Sequence, residues 1–403
     1  MHWLYNISIL IYGLLIRLVA LFNAKAKLFV MGRKDIFKLI ASKIDTSSQP
    51  IWFHFASLGE FEQGRPVLEK IKQLHPKENV VITFFSPSGY EIRKNYALAN
   101  GIFYLPLDTP RNAKRFIDLV KPKMAIFTKY EFWPNYFNAL SNQKIPLYII
   151  SGIFRPTQVF FKWYGGFYRK VLKSVSHFFV QNEESVQLLK TISFTNVDVS
   201  GDTRFDRVYE NAQAPKQLPV IAVFCQHYPV LIAGSTWPED EKILAELAAK
   251  NPEWKLVIAP HEVNSAHIAA ITQLFPASIK FSELQTATVD STTQVLIIDN
   301  IGMLSSLYQY GKVAFIGGGF GAGIHNTLEA AAFSVPVIFG PNYQKFQEAK
   351  DLIALGAAKS VTNATSLLQA FEHFKQHQLG KIAGAYVAEQ KGATEMIIAK
   401  ILA

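Results

Sequence analysis

The chain is 403 residues long and 49% apolar, enough for about two domains with full cores, which excludes a mainly disordered protein. Its 41 Lys and Arg against 31 Asp and Glu leave a net charge of +10, a balance that suits an anionic membrane surface or a phosphorylated substrate. No long Lys/Arg block or nucleic-acid motif accompanies that charge, so nucleic acid is not expected as a partner, and the lone Cys225 excludes a disulfide framework or a thiolate metal site.

The first element in chain order is the apolar run Trp3 to Phe22, broken by Asn6, Ser8 and Arg17 and followed by Lys25, Lys27, Arg33 and Lys34. A secretory signal carries its charges before the apolar core, so this order reads instead as an anchor with a cytoplasmic basic flank. The run is long enough to span a bilayer, whereas Arg17 suits a helix lying in the interface, and a buried core helix has the same composition.

Beyond it, Ile51–Phe55, Val80–Phe84, Met124–Thr128, Leu147–Ile150 and Phe178–Val180 read as strands, with helical spacing at Gly64–Leu74, Asn112–Val120 and Glu184–Leu189. A second series runs through Val230–Ala233, Leu256–Ala259, Val295–Ile298, Val313–Ile316 and Val335–Phe339. The alternation predicts two doubly wound α/β domains whose ligands sit beyond the carboxyl ends of the strands, in a cleft between the domains. The expected division is an anchor at 1–24, a Rossmann-like domain at 25–208, a linker at 209–218, a second Rossmann-like domain at 219–382, and one C-terminal helix within 383–403 that can cross back to the first domain.

The first strand runs into His54-Phe-Ala-Ser57-Leu-Gly59-Glu60. A carboxylate at that rim can act as general base on an incoming hydroxyl or simply cap the next helix. Glu131, within Tyr130-Glu131-Phe132-Trp133-Pro134-Asn135, can bind a sugar hydroxyl, support Glu60 or pair with an Arg. Ser57, Gly59, Ser86, Ser88, Arg155 and Arg204 follow strand ends or turns and suit hydroxyl or phosphate contacts. In the second series Ser235, Thr236 and His261 end strands at the rim that also carries Gly317, Gly318, Gly319 and Gly321. A glycine-rich strand-to-helix turn lets N–H groups approach a phosphate. Downstream, His325, Asn326 and Glu329 begin the predicted helix Asn326–Phe333, and Glu329 is placed to accept both ribose hydroxyls. No Asp-x-Asp motif follows a strand, and no Cys/His cluster, Walker loop or Gly-x-Ser-x-Gly elbow occurs, so no metal or other cofactor is expected.

In order along nearly the whole chain, the apolar first run, HFASLGE, YEFWPN, GDTRFDR, GSTW and HNTLEAAA resemble the bacterial 3-deoxy-D-manno-octulosonic acid (Kdo) transferases of lipopolysaccharide synthesis. The resemblance implies a GT-B glycosyltransferase fold, CMP-Kdo as donor and a lipid A precursor as acceptor. It also implies Glu60 as general base, Glu131 as a second important acid, a nucleotide segment at Gly317–Glu329, and work at the cytoplasmic face of the inner membrane against an anionic lipid surface. Two segments depart from the family pattern, Ser151–Gln158, which keeps only Arg155, and Pro260-His261-Glu262. A UDP-sugar-dependent GT-B transferase and a non-catalytic, membrane-tethered nucleotide-binding protein are the alternative readings.

Overall fold

The computed structural model describes residues 1–45, 47–284 and 292–402. The chain divides into two compact units, Met1–Asp206 with Lys391–Ala403, and Arg207–Gln390.

In the first unit the strands are β1 (Ile51–Phe55), β2 (Val80–Phe84), β3 (Gly101–Tyr104), β4 (Met124–Thr128), β5 (Leu147–Gly152), β6 (His177–Val180) and β7 (Val197–Val199). They form one sheet in the order β3-β2-β1-β4-β5-β6-β7, every pair parallel, with Ile51 opposite both Val80 and Met124. Helices cover both faces, so the central strands are apolar on both sides, as a parallel sheet requires. Trp52 points into one core with Phe116, Phe127 and Tyr136, while Ile51, Phe53 and Phe55 point into the other with Phe61 and Phe84. Strand order reverses between β1 and β4. The carboxyl ends of those two strands are therefore the crevice at which this topology binds ligands.

The second unit repeats the plan with β8 (Val230–Thr236), β9 (Lys255–Pro260), β10 (Ser278–Lys280), β11 (Val295–Ile297), β12 (Val313–Ile316), β13 (Val337–Phe339) and β14 (Ala358–Ser360). Their order is β10-β11-β9-β8-β12-β13-β14, again all parallel. Its reversal lies between β8 and β12, which lead into Trp237 and into the glycine turn.

Each sheet has seven strands where the hydrophobic runs predict five. The four missing from the prediction, β3, β7, β10 and β14, are the sheet edges, where Asp198, Ser278, Lys280, Lys359 and Ser360 interrupt three of the strands and Gly101 opens the fourth, so the apolar runs that mark the inner strands are broken. The linker predicted at 209–218 is also corrected. Helix Arg204–Gln213 runs through its first half and ends two residues before Pro215. The single C-terminal helix becomes two, Gly380–Glu389 and Ala393–Ile401, because Gly392 adopts φ 113 between them. Buried Asp206 accepts the Gly392 N–H together with the Thr394 N–H and hydroxyl. Ile397, Ile398 and Ile401 then pack into the β1 core of the first unit.

Within the predicted anchor, helix α1 (His2–Val19) is, among the described residues, the one helix long and apolar enough to cross a membrane. One stripe of it is docked on the first unit. Tyr5 donates to Asp108 at 2.7 Å, His2 and Asn6 meet the Asn135 amide at 2.9 Å each, and Gly13 faces Leu107. Asp108 is buried, and burial pushes its carboxyl up to about 6 against the opposing pull of Tyr5 and two backbone N–H groups. The outward stripe is apolar and bare, with Trp3 and Leu10 each 63% exposed and Phe22, just beyond the helix, 92%.

Candidate active site

In the first unit the β1 rim turns directly into helix α4 (Leu58–Leu74), six residues earlier than Gly64, the start that the sequence suggests. Ser57 precedes the helix, but its hydroxyl donates to Glu60 in the first turn instead of capping a backbone N–H. Glu60 is half-buried and close enough to Tyr130 that its charge, after burial, helps raise the Tyr130 phenol above its ordinary range; Arg155, hydrogen-bonded to that phenol, opposes the rise. The Arg155 guanidinium lies 5.7 Å from the centre of the Tyr130 ring. Glu60, Tyr130 and Arg155 thus form one cluster at the reversal point.

Glu131, at the β4 rim, is held by His54 and Trp133, residues of the HFASLGE and YEFWPN segments to which the sequence reading gives no role. His54 Nε2 lies 3.1 Å from Glu131 Oε2, and Trp133 Nε1 donates to the same oxygen at 2.9 Å. On its other side His54 Nδ1 meets Thr83 Oγ1 at 2.8 Å, and Thr83 Oγ1 also accepts from Trp52 Nε1 at 2.8 Å. A carboxylate needs a donor, so Nε2 carries the proton and Nδ1 accepts the Thr83 hydroxyl hydrogen. The result is a buried chain, Trp52–Thr83–His54–Glu131–Trp133, with Glu131 Oε1 left without a partner among the described residues. The available signal was His54 itself, a histidine inside a strand that is otherwise wholly apolar; such a buried ring requires partners at both nitrogens.

The remaining first-unit candidates divide. Gly59 is exposed, and a Cβ placed there would meet only the Ser57 hydroxyl. Ser86 caps helix Pro87–Arg93 by accepting the Ser88 N–H, and the two hydroxyls bond to each other at 3.0 Å. Arg204 is corrected from a phosphate contact to a structural pair. Its Nε and Nη2 grip buried Asp202 at 2.9 and 2.8 Å, and Gln63 joins them. Burial pushes the Asp202 carboxyl up, but the Arg204 charge and hydrogen bonds outweigh it and hold the group below its ordinary range.

In the second unit β12 ends in the glycine turn. Gly317 donates its N–H to Gly234 O at 2.9 Å, and Gly318 donates to Asp240 at 2.9 Å. Those two N–H groups hold the turn together and are not available to an anion. Gly319 and Phe320 have N–H groups without partners among the described residues, so the expected anion contact falls to them. Gly318 sits at φ 88, and a Cβ on Gly319 would lie 2.6 Å from the Gly340 backbone, so neither position admits a side chain without strain. Gly321 is exposed and donates its own N–H to Gly318 O. Asp240, buried behind the turn, is pushed up to about 6 by burial despite two backbone N–H bonds that lower it.

Beside the turn three rings stack. His261 lies 4.9 Å from Trp237 and 4.4 Å from His325, with interplanar angles of 25° and 23°. Trp237 Nε1 donates to His325 Nε2 at 3.2 Å, which fixes His325 as the Nδ1–H tautomer. Burial, with the neighbouring His261 in support, lowers the His325 pKa to about 4. Trp237 was missed as a site residue, although its place after the β8 strand end gave the signal. Ser235, in left-handed backbone at φ 54, faces the same rim. Thr236 is corrected: its hydroxyl is fully buried and donates to Glu241, which also pairs with His267. Asn326 Nδ2 donates to Glu329 Oε1 at 3.1 Å, and the helix that follows is short, Leu328–Ala332. Among the described residues no group of three or more His, Cys, Asp or Glu side chains is arranged to hold a metal ion.

Residues 32–207 match the family model described as 3-deoxy-D-manno-octulosonic-acid transferase (kdotransferase). The chain is 28% identical over 331 residues to the 3-deoxy-D-manno-octulosonic acid transferase of Aquifex aeolicus, covering 79% of this chain and 84% of that one. It is 28% identical over 370 residues to the Haemophilus influenzae enzyme of the same name, covering 87% and 86%. Among solved structures, the UDP-GlcNAc 2-epimerase of Neisseria meningitidis superimposes with a TM-score of 0.60 at 17% identity over 88% of this chain and 99% of its own. MurG of Acinetobacter baumannii gives 0.52 at 15% identity over 88% and 99%. These two likenesses establish the GT-B fold class, with its two doubly wound units.

Proposed function

We propose that this chain, which belongs to the 3-deoxy-D-manno-octulosonic acid transferase family, moves Kdo from CMP-Kdo to the 6′-hydroxyl of a lipid A precursor with inversion at the anomeric carbon. The observation that carries the reading is the β1–β4 rim of the family-matched first unit. There a serine-supported Glu60 and an immobilised Glu131 stand at the reversal point of one sheet.

Glu60 takes the proton of the acceptor hydroxyl as its oxygen bonds to the anomeric carbon and the bond from that carbon to the CMP phosphate oxygen breaks. CMP leaves with the electron pair. Glu131, whose Oε1 is open, receives a sugar hydroxyl and holds its orientation, while Arg155 stands where an anionic group of either substrate can be met. In the second unit Glu329 accepts the ribose hydroxyls, and the Gly319 and Phe320 N–H groups with the His261–His325 edge take the phosphate as its charge grows. A leaving group with one phosphate needs less neutralisation than a diphosphate, so the reaction is proposed to run without a metal. The bare apolar stripe of α1 and the +10 charge support a position at an anionic bilayer, in this reading the cytoplasmic face of the inner membrane.

Incubation with CMP-Kdo and a lipid A precursor, followed by mass analysis of the lipid, tests the reading. Addition of one or more Kdo residues is expected, with CMP inhibiting better than UDP. Transfer from UDP-GlcNAc with no reaction of CMP-Kdo would replace it with the UDP-sugar reading, and tight CMP binding without any transfer would replace it with a non-catalytic one.

A further inference from the structure

Arg17 is the one charge within α1, and in the first unit it lines a cavity of about 460 Å³ beside that helix. The other walls come from helix α2 (Ala24–Met31), the turn after it, helix α3 (Ile36–Lys43), the Pro106–Leu107 loop and helix Pro110–Val120. Five cations line the cavity, Arg17, Arg33, Lys34, Lys38 and Arg115, against one acid, Asp35, which Lys38 already engages at 3.0 Å.

None of the other four has a carboxylate partner among the described residues. Arg33 donates to the carbonyls of Phe29, Phe85 and Leu105 at 3.0, 2.7 and 2.8 Å and lies 3.6 Å over the Phe29 ring. Burial lowers its pKa to about 10. Arg115 rests on the Phe37 ring at 4.4 Å. Arg17, Lys34 and Arg115 reach solvent from the cavity wall, and like charges gathered on one cavity repel one another unless an anion joins them. The intervening wall is apolar, with Ile16, Val30 and Leu107. The cavity adjoins the helix whose outward stripe is bare hydrocarbon, with Leu14 58% exposed. Cations, an alkyl wall and a helix with a bare apolar stripe at one place match the chemistry of the layer where lipid headgroups meet acyl chains.

We propose that this cavity binds an anionic glycerophospholipid of the bilayer, its phosphodiester held among Arg17, Lys34 and Arg115 and its glycerol and first acyl carbons against Ile16, Val30 and Leu107. Phosphate oxygens take charge-assisted bonds from several cations at once, and the volume lies within the usual range for small-ligand sites. The ligand is neither donor nor acceptor, so the site does not depend on which sugar is transferred. Bound there, one lipid neutralises the cluster and fixes how the first unit sits on the membrane.

The probe is phosphatidylglycerol, scored as a one-to-one adduct of the full chain by native mass spectrometry from mixed phosphatidylcholine/phosphatidylglycerol bilayers. Three variants are compared: the pair Lys34→Gln with Arg115→Gln, the cavity-filling Val30→Trp, and a control pair, Lys25→Gln with Lys27→Gln, on exposed positions of α2 outside the cavity. The wild type and the control pair should keep the adduct, and the other two should lose at least about tenfold of it while thermal unfolding stays unchanged. Ile16→Phe replaces Val30→Trp if the latter unfolds. An equal loss in the control pair, or full retention with the cavity filled, would mean general attraction to a basic surface and overturn the proposal. It falls equally if phosphatidylglycerol gives no adduct while a lipid A precursor gives one that Val30→Trp abolishes, since the cavity then belongs to the acceptor.

Discussion

The two rims have the same topology and opposite chemistry. At β1–β4 the functional groups are carboxylates already bound to protein partners: Ser57 on Glu60, and His54 with Trp133 on Glu131. At β8–β12 the feature is bare backbone, the Gly319 and Phe320 N–H groups, flanked by the Trp237–His261–His325 stack. On the proposed reading, a base needs its geometry fixed before the substrate arrives, and its neighbours hold it in place. An anion cradle, on the same reading, needs unused donors, and glycines leave them open. One sheet architecture supports both because the crevice comes from strand order, and the residues at the strand ends decide what it holds.

Glu60→Gln should break the comparison on the first rim alone. Transfer should fall about 10²–10⁴-fold, the usual share of general-base help, while CMP affinity stays put. Near-normal turnover would leave Glu60 a helix-terminal residue supported by Ser57.

His54→Ala probes the support beneath the first rim. Freeing Glu131 by the order of 1 Å should cost up to about 10²-fold in kcat, and each stranded partner about 1–3 kcal/mol of stability. Calorimetric unfolding and kinetics of the same variant check both. Lost stability with unchanged kcat would make the Trp52–Thr83–His54 chain a packing device only.

On the second rim, Glu329→Ala should weaken CMP by about 1.5–3 kcal/mol, the range for hydrogen bonds to charged groups, or about 10- to 150-fold. Titration calorimetry with CMP reads this directly, and an unchanged affinity would move the ribose elsewhere.

Acid should also act on the second rim. The folded pKa of His325 is lowered to about 4 from 6.5, so the folded state resists a proton that the unfolded chain accepts. Its contribution to stability is present above pH 6.5 and lost as pH falls toward 4. Asp240, raised to about 6, acts in the opposite sense and loses stability as pH rises through 6. The His325 share is therefore the difference between wild type and His325→Gln in thermal unfolding from pH 7 to 4, and parallel curves would remove it.

The smallest expected effect is that of EDTA, which should leave transfer intact. Complete loss restored by Mg²⁺ would add a metal that uses substrate phosphate and water as its ligands.

Much of this protein is legible without coordinates. The ten inner strands, the rim positions of Glu60, Glu131 and the glycine turn, and the apolar run of α1 all follow from hydrophobic periodicity and turn chemistry, which act within a few residues. The edge strands are not legible, because residues such as Asp198, Lys280 and Lys359 interrupt their apolar pattern.

Which polar groups are already engaged is decided by the tertiary structure alone. His54 meets Glu131 across 77 positions, Tyr5 meets Asp108 across 103, and Asp206 ties down Thr394 across 188. In the same way Gly318, Thr236 and Arg204 are bound to the protein itself and Arg155 is hydrogen-bonded to Tyr130, whereas the Gly319 N–H and Glu131 Oε1 have no partner among the described residues. The physical reason is that burial is local in pattern but hydrogen-bond satisfaction is not. A buried donor or acceptor takes whichever partner the strand register brings within 3 Å, and that register exists only in the folded sheet.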